Sequence, residues 1–107
     1  MGKLSSHQKK FLRGKAHHLD PAVMVGKNGV TVNLIKMVND ALNSHELIKV
    51  RFVEFKDRKK KLSQEITNKS KSEIVGMIGH IVILYRQHTD EEKRKIALPS
   101  KQGSRPL

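Results

Sequence analysis

A short turn motif is the first place where this sequence could do chemistry. Gly26, Lys27, Asn28 and Gly29 follow a run of four apolar residues and precede a helical pattern. Glycine lets a backbone approach a ligand closely, and backbone N–H groups at the start of a helix attract phosphate. Lys27 adds a positive charge and Asn28 adds hydrogen-bond donors. The motif predicts a phosphate-binding turn; an ordinary strand-to-helix turn is the alternative.

The net charge points to the same chemistry. The 107 residues include 22 Lys and Arg against 10 Asp and Glu, a formal net charge of +12. This excess favours a polyanionic partner, which leaves nucleic acid, anionic lipid and acidic protein as alternatives. The longest apolar run is Ile81–Tyr85, far short of the ~20 residues of a membrane-spanning helix, so we expect no membrane partner.

Further cations lie in clusters along the chain. A first predicted helix carries four of them: Lys9, Lys10, Arg13 and Lys15. We expect this helix face beside the turn, where it would follow an RNA backbone; a solvated helix face is the alternative. Three cations in or next to the predicted strands complete the candidate RNA contacts: Lys49, Arg51 and Arg86. The basic run at 56–61 is interpreted as a solvated loop.

The sequence contains no recognisable catalytic or metal-binding motif. Cysteine is absent, which excludes disulfides, thiolate ligands and thiol nucleophiles. The six histidines form no HExxH pattern and have no carboxylate cluster beside them. We therefore predict a protein that is not an enzyme, without catalytic residues, metal, cofactor or small-molecule substrate. The lack of cysteine and of a secretory signal at the N-terminus leads us to expect the cytoplasm.

Aromatic residues are too few for a base-stacking platform. The chain has three Phe and one Tyr, of which Phe55 and Tyr85 lie where they could be exposed. Single-strand binders usually stack bases on aromatic rings. Their scarcity favours recognition of backbone and shape, as in structured RNA.

The apolar periodicity predicts the elements that position these residues. Helices are expected at 5–19, 31–45 and 59–69, and strands at 22–25, 47–55, 73–78 and 81–85. Strand–helix–strand units make parallel neighbours, and the last two strands form a hairpin. The expected fold is α/β: one compact, monomeric domain over 1–87, with a four-stranded mixed sheet packed by three helices. Residues 88–107 lose the apolar pattern, which predicts a basic, flexible tail.

Three sequence blocks, at 12–29, 45–52 and 78–86, resemble the CRM-domain family of RNA-binding proteins in its stand-alone bacterial, YhbY-like form. The resemblance implies a fold similar to the C-terminal domain of translation initiation factor three. It also implies that Gly26–Gly29 is a GxxG motif that contacts RNA as in KH domains. The implied function is binding of precursor ribosomal RNA during assembly of the large (50S) ribosomal subunit. A permanent ribosomal component, another structured-RNA chaperone or splicing-type factor, and an RNA-processing enzyme are the alternatives.

Overall fold

The apolar periodicity becomes three α-helices and four β-strands in the computed structural model, which describes residues 3–100. The helices are α1 (Ser6–Ala16), α2 (Val32–His45) and α3 (Lys59–Ser70), and the strands are β1 (Val23–Val25), β2 (Leu47–Phe52), β3 (Glu73–Ile78) and β4 (Ile81–Tyr85). The predicted α/β class and the order helix-strand-helix-strand-helix-strand-strand are confirmed. Within the described residues, no helix is both long enough and apolar enough to cross a membrane.

Side-chain caps determine where the first two helices begin. The Ser5 hydroxyl accepts a hydrogen bond from the Gln8 backbone N–H at 3.2 Å, and the Gln8 side chain accepts one from the Ser5 N–H at 3.1 Å. This reciprocal pair is a capping box. The Thr31 hydroxyl accepts from the Leu34 N–H at 3.0 Å and starts α2 directly after the glycine-bounded turn.

Two elements end earlier than the sequence predicts. Helix α1 stops at Ala16 and not at Leu19, because the chain tightens into a turn in which the Leu19 N–H donates to the Ala16 carbonyl at 2.9 Å. Strand β2 stops at Phe52 and not at Phe55, since Phe55 adopts a φ of 58°, in the left-handed region that an extended strand does not visit.

The four strands form one mixed sheet in the order β1-β2-β4-β3. Strand β1 runs parallel to β2, and β4 runs antiparallel to both β2 and β3. The carboxyl ends of β1 and β2 and the β3–β4 hairpin therefore lie at the same end of the sheet. We call this the loop end.

Helices cover both faces of the sheet. Helices α2 and α3 pack on one face, and their buried apolar side chains are Leu34, Val38, Leu42 and Ile66. Helix α1 packs on the other face, where Leu12 and Ala16 contact a second buried cluster formed by Leu47, Val75, Ile83 and Tyr85. The predicted single domain with three helices around a four-stranded sheet is confirmed.

The segment after β4 is fastened to the domain up to Pro99, which differs from the expected flexible tail. The buried Glu46 carboxylate accepts hydrogen bonds from the backbone N–H groups of His88 and Lys95, both at 2.7 Å. The Gln8 side chain donates to the Pro99 carbonyl at 2.9 Å. Two apolar side chains of the segment also pack against the α1 cluster: Ile96 and Leu98. The rest of the predicted tail, 101–107, lies outside the described residues.

Candidate nucleic-acid interface

The glycine-bounded turn lies at the loop end of the sheet, between β1 and α2. The Gly29 N–H donates to the Gly26 carbonyl at 3.0 Å, which closes the turn. Gly29 has a φ of +69°, in the region that favours glycine. The intervening Lys27 and Asn28 are exposed. The turn thus presents one cationic side chain and one amide side chain to solvent.

The Phe55 ring lies beside this turn. A Cβ placed on Gly29 would lie 3.5 Å from Phe55 Cε2, so the ring is in contact range of the turn backbone. Phe55 is half-buried and packs against the α2 core cluster. The sequence left open whether this ring was exposed for stacking. In the structure the ring is half-buried beside Gly29, where the backbone bends at the positive φ of Phe55.

Cations from the β2–α3 connection and from the start of α3 join the turn at the loop end. The Lys59 ammonium donates to the Gly79 carbonyl and lies 3.3 Å from Nδ1 of His80, in the β3–β4 hairpin. Loss of hydration and the positive charges of Lys59, Lys56 and Arg51 lower the pKa of His80. Three cations therefore act on one exposed imidazole. The sequence interpretation of 56–61 as a solvated loop did not place Lys56 and Lys59 at the loop end.

The cations of α1 do not lie beside the turn as expected. Helix α1 crosses the sheet face opposite α2, and the Leu4 N–H just before it donates to the Glu73 carboxylate at 2.9 Å, at the end of β3 away from the turn. Lys10, Arg13 and Lys15 are exposed, whereas Lys9 is half-buried. The α1 cations thus form a second basic surface, separated from the turn by part of the sheet.

Arg13 is an α1 cation whose side chain lies over β3. Its Nη1 donates to the Val75 carbonyl at 3.3 Å, and its side chain lies over Gly76, where a Cβ would come within 2.9 Å of Arg13 Cδ. The absent side chain at Gly76 therefore makes room for Arg13. Lys15 turns away and stacks its ammonium 5.5 Å from the centre of the Phe11 ring.

Arg86 has a structural position rather than one open to a ligand. Its guanidinium donates to the Asn39 side chain at 2.7 Å, to the Asn43 side chain at 2.8 Å and to the Ser70 carbonyl at 2.6 Å. Burial lowers the pKa of Arg86. Because its donors join α2 to the end of α3, we remove Arg86 from the candidate RNA contacts.

The two predicted β2 cations have different surroundings. The Lys49 ammonium donates to the Leu19 carbonyl at 2.8 Å and fastens the α1–β1 connection to the sheet. Arg51 is exposed, on the same sheet face, one step closer to the loop end. Of the two, Arg51 is the one that the structure brings together with the turn.

The geometry defines a class: a small α/β domain with a glycine-bounded, basic strand-to-helix turn at one end of a mixed sheet. The chain belongs to the CRS1/YhbY (CRM) domain family, whose family model matches residues 4–86. The resemblance drawn from the three sequence blocks is thereby confirmed. The match ends at the close of β4, one residue short of the predicted domain boundary.

Similar proteins occur in several bacteria. A Haemophilus influenzae protein named "RNA-binding protein" is 47% identical over 103 residues, covering 94% of this chain and all of the relative. Bacillus subtilis "probable RNA-binding protein YqeI" is 40% identical over 97 residues, covering 90% of this chain and 99% of the relative. The solution structure of Staphylococcus aureus SAV1595, a hypothetical protein suggested to bind RNA, superposes with a TM-score of 0.74. It is 34% identical and covers 89% of this chain and 100% of its own.

Proposed function

We propose that this protein is a non-catalytic RNA-binding protein whose primary contact is the loop end of the sheet. The observation that carries the proposal is the convergence there of the Gly26–Gly29 turn with Arg51, Lys56 and Lys59. The relatives named for RNA binding match nearly their whole length, which supports the same activity for the whole of this chain.

Phosphate is the group that the loop end recognises in this proposal. The turn backbone and the exposed Lys27 contact one phosphate of the RNA. The cations near His80 contact the neighbouring phosphates of the same RNA strand. Each neutralised phosphate releases condensed counterions, which makes affinity depend strongly on salt. The exposed α1 cations extend the contact when the RNA is long enough to reach the second basic surface.

Precursor ribosomal RNA of the large (50S) subunit is the proposed target, bound in the cytoplasm by a monomer. The names of the relatives support RNA as the partner, and a chain without cysteine suits a reducing compartment. The aromatic side chains also fit recognition of backbone and shape: Phe52 and Tyr85 are buried, and Phe11 and Phe55 are half-buried.

In-cell crosslinking followed by sequencing of the attached RNA tests the target directly. We expect crosslinks in precursors of the large-subunit RNA, with the protein sedimenting with precursor particles. Stable sedimentation with mature ribosomes would contradict an assembly role and favour a permanent ribosomal component. Crosslinks confined to other RNAs would contradict the ribosomal target while leaving RNA binding intact.

A salt titration tests the phosphate contact itself. We expect the logarithm of the affinity to fall linearly with the logarithm of salt concentration, with a slope of about −0.7 for each phosphate contacted on a single strand. An affinity that stays constant from low to high salt would contradict electrostatic recognition at the loop end.

A further inference from the structure

A row of four side chains crosses the whole sheet next to the loop end. Met24 pairs with Arg51, Arg51 pairs with Ile81, and Ile81 pairs with Ile78, so one residue from each strand lies in register. The buried neighbours Val25 and Phe52 face α2, and side chains alternate along a strand. The four residues therefore face the α1 side of the sheet. We call them the open row.

Helix α1 does not cover the open row. The next positions along β4 on the same face, Ile83 and Tyr85, are buried beneath α1 and the segment after β4. At the open row, Met24 is 54% exposed and Ile78 is 63% exposed. The α1 layer thus ends one row short of the loop end and leaves apolar side chains on a sheet face that is otherwise packed.

Several cations lie within or near the open row. Arg51 lies within it, and Arg13 reaches over the neighbouring row from α1. Lys56 and Lys59 act on His80, in the hairpin that begins directly after Ile78. The Gly26–Gly29 turn starts two residues after Met24. A partner for this surface must combine apolar faces with closely spaced negative charge, and unpaired nucleotides have both.

We propose that the open row binds the bases of unpaired RNA nucleotides while the turn and the flanking cations hold their phosphates. Neighbouring strands lie about 4.8 Å apart, so the row spans roughly 14 Å, enough for two or three bases. The aliphatic side chains of Met24, Ile81 and Ile78 provide apolar contact without aromatic stacking, so base contact is sequence-tolerant. This inference rests on the proposed function and adds single-stranded segments as the form of RNA recognised at the loop end.

The test compares a single-stranded RNA of about ten nucleotides with an abasic strand of the same length, which keeps the phosphates and lacks the bases. The test protein carries Met24→Ser with Ile78→Thr. The matched control is Met37→Ser, because Met37 is 51% exposed on α2, on the other side of the sheet. We expect the double variant to bind the RNA about fivefold to tenfold more weakly than the parent does. It should bind the abasic strand with the same affinity as the parent, and the salt dependence of its RNA binding should be unchanged.

Methyl resonances of the unmodified protein provide a measurement that does not depend on any variant folding. We expect the Met24 and Ile78 methyl signals to shift on addition of the RNA and not on addition of the abasic strand, while the Met37 signal stays in place. Equal RNA binding by parent and double variant, with unmoved Met24 and Ile78 methyls, would overturn the inference and leave the row for a protein partner. In that case, salt-dependent binding of the abasic strand by the parent would still support the proposed function. If the parent bound neither the RNA nor the abasic strand, both the inference and the proposed function would be wrong.

Discussion

The carboxylate of Glu46 accepts a hydrogen bond from the backbone N–H of Lys95 at 2.7 Å, across 49 residues of chain. Glu46 is fully buried and accepts two more, from the N–H groups of His88 and Ile96. A buried carboxylate is costly unless it is hydrogen-bonded, and here three backbone donors surround it. The same contacts satisfy N–H groups of the segment after β4, so one side chain fastens that segment to the end of α2.

Glu46→Gln should therefore destabilise the domain. The amide presents an N–H₂ group toward backbone donors that need an acceptor, and hydrogen bonds to a charged group contribute about 1.5–3 kcal/mol each. We expect the free energy of unfolding to fall by about 2–4 kcal/mol, measured by urea denaturation. The control is Glu54→Gln, because Glu54 is exposed and should change stability by less than about 0.5 kcal/mol. Equal unfolding curves for the two variants would mean that the Glu46 contacts do not hold the segment.

Ile96→Ser should lower the melting temperature, because Ile96 packs against the α1 cluster. Loss of a partly buried apolar side chain at this site should cost about 1–2 kcal/mol. Ala97→Ser at the exposed neighbouring position should leave the melting temperature near that of the parent. Removal of 88–107 should have a larger effect than Ile96→Ser, since it also leaves the Glu46 carboxylate buried without its three donors. A truncated protein as stable as the parent would instead support the flexible tail that the sequence predicts.

Periodicity predicts most of the fold because it reports burial directly. The Leu34, Val38 and Leu42 spacing indicates the inner face of α2, and alternation around Val50 indicates which side of β2 is buried. The docked segment at 88–99 has no such signal. Two isolated apolar residues, Ile96 and Leu98, form no periodic pattern, and the remaining attachment depends on backbone N–H groups, which nearly every residue has, and on a glutamate that only the fold buries.

The candidate site divides in the same way. Glycines at positions 26 and 29 indicate a turn by their residue type alone, so the turn is predictable from the sequence. The hydrogen-bond partners of a lysine or arginine are not predictable from the sequence, because the long side chain contacts whichever groups the fold places near it. Arg86 therefore proves to be bonded to Asn39 and Ser70, while Lys59 lies at the loop end beside His80.

Gly26→Asp should weaken RNA binding more than Lys27→Ala. A Cβ at Gly26 meets nothing within 4 Å and its φ is not in the left-handed region, so the aspartate adds negative charge without strain. Gly29 would be a poorer test, because its positive φ and the nearby Phe55 ring make any side chain there strained. One exposed charge is worth about 1 kcal/mol, so we expect about fivefold weaker binding for Lys27→Ala and a larger loss for Gly26→Asp, by fluorescence anisotropy.

Gly14→Asp is the matched control for the turn variant. Gly14 is exposed on α1, and a Cβ there also meets nothing within 4 Å, so the charge change is the same at the second basic surface. We expect a smaller loss of affinity than for Gly26→Asp. The reverse order, with Gly14→Asp the more damaging, would move the primary contact from the turn to the α1 face.

RNA affinity should rise as the pH falls through the titration of His80. In the free protein, loss of hydration and the charges of Lys59, Lys56 and Arg51 lower the pKa of His80 below its usual 6.5. Bound phosphates offset the repulsion from these cations, which raises the pKa of His80 in the complex. Binding then takes up a proton, and linkage requires tighter binding at lower pH, by at most about tenfold for each pH unit.

This pH dependence is measured by anisotropy titrations between pH 7.5 and pH 5.5 at constant salt, with His80→Asn as the test variant. The variant should lose the part of the pH dependence that His80 contributes, whereas His18→Asn, at an exposed position after α1, should keep it. The parent and His80→Asn share every other histidine, so the difference between the curves of these two proteins belongs to His80 alone. The pKa of His80 can also be followed directly from its imidazole resonance. The same pKa with and without RNA would mean that the phosphates do not lie near the hairpin, and the loop-end contact would then be limited to the Gly26–Gly29 turn.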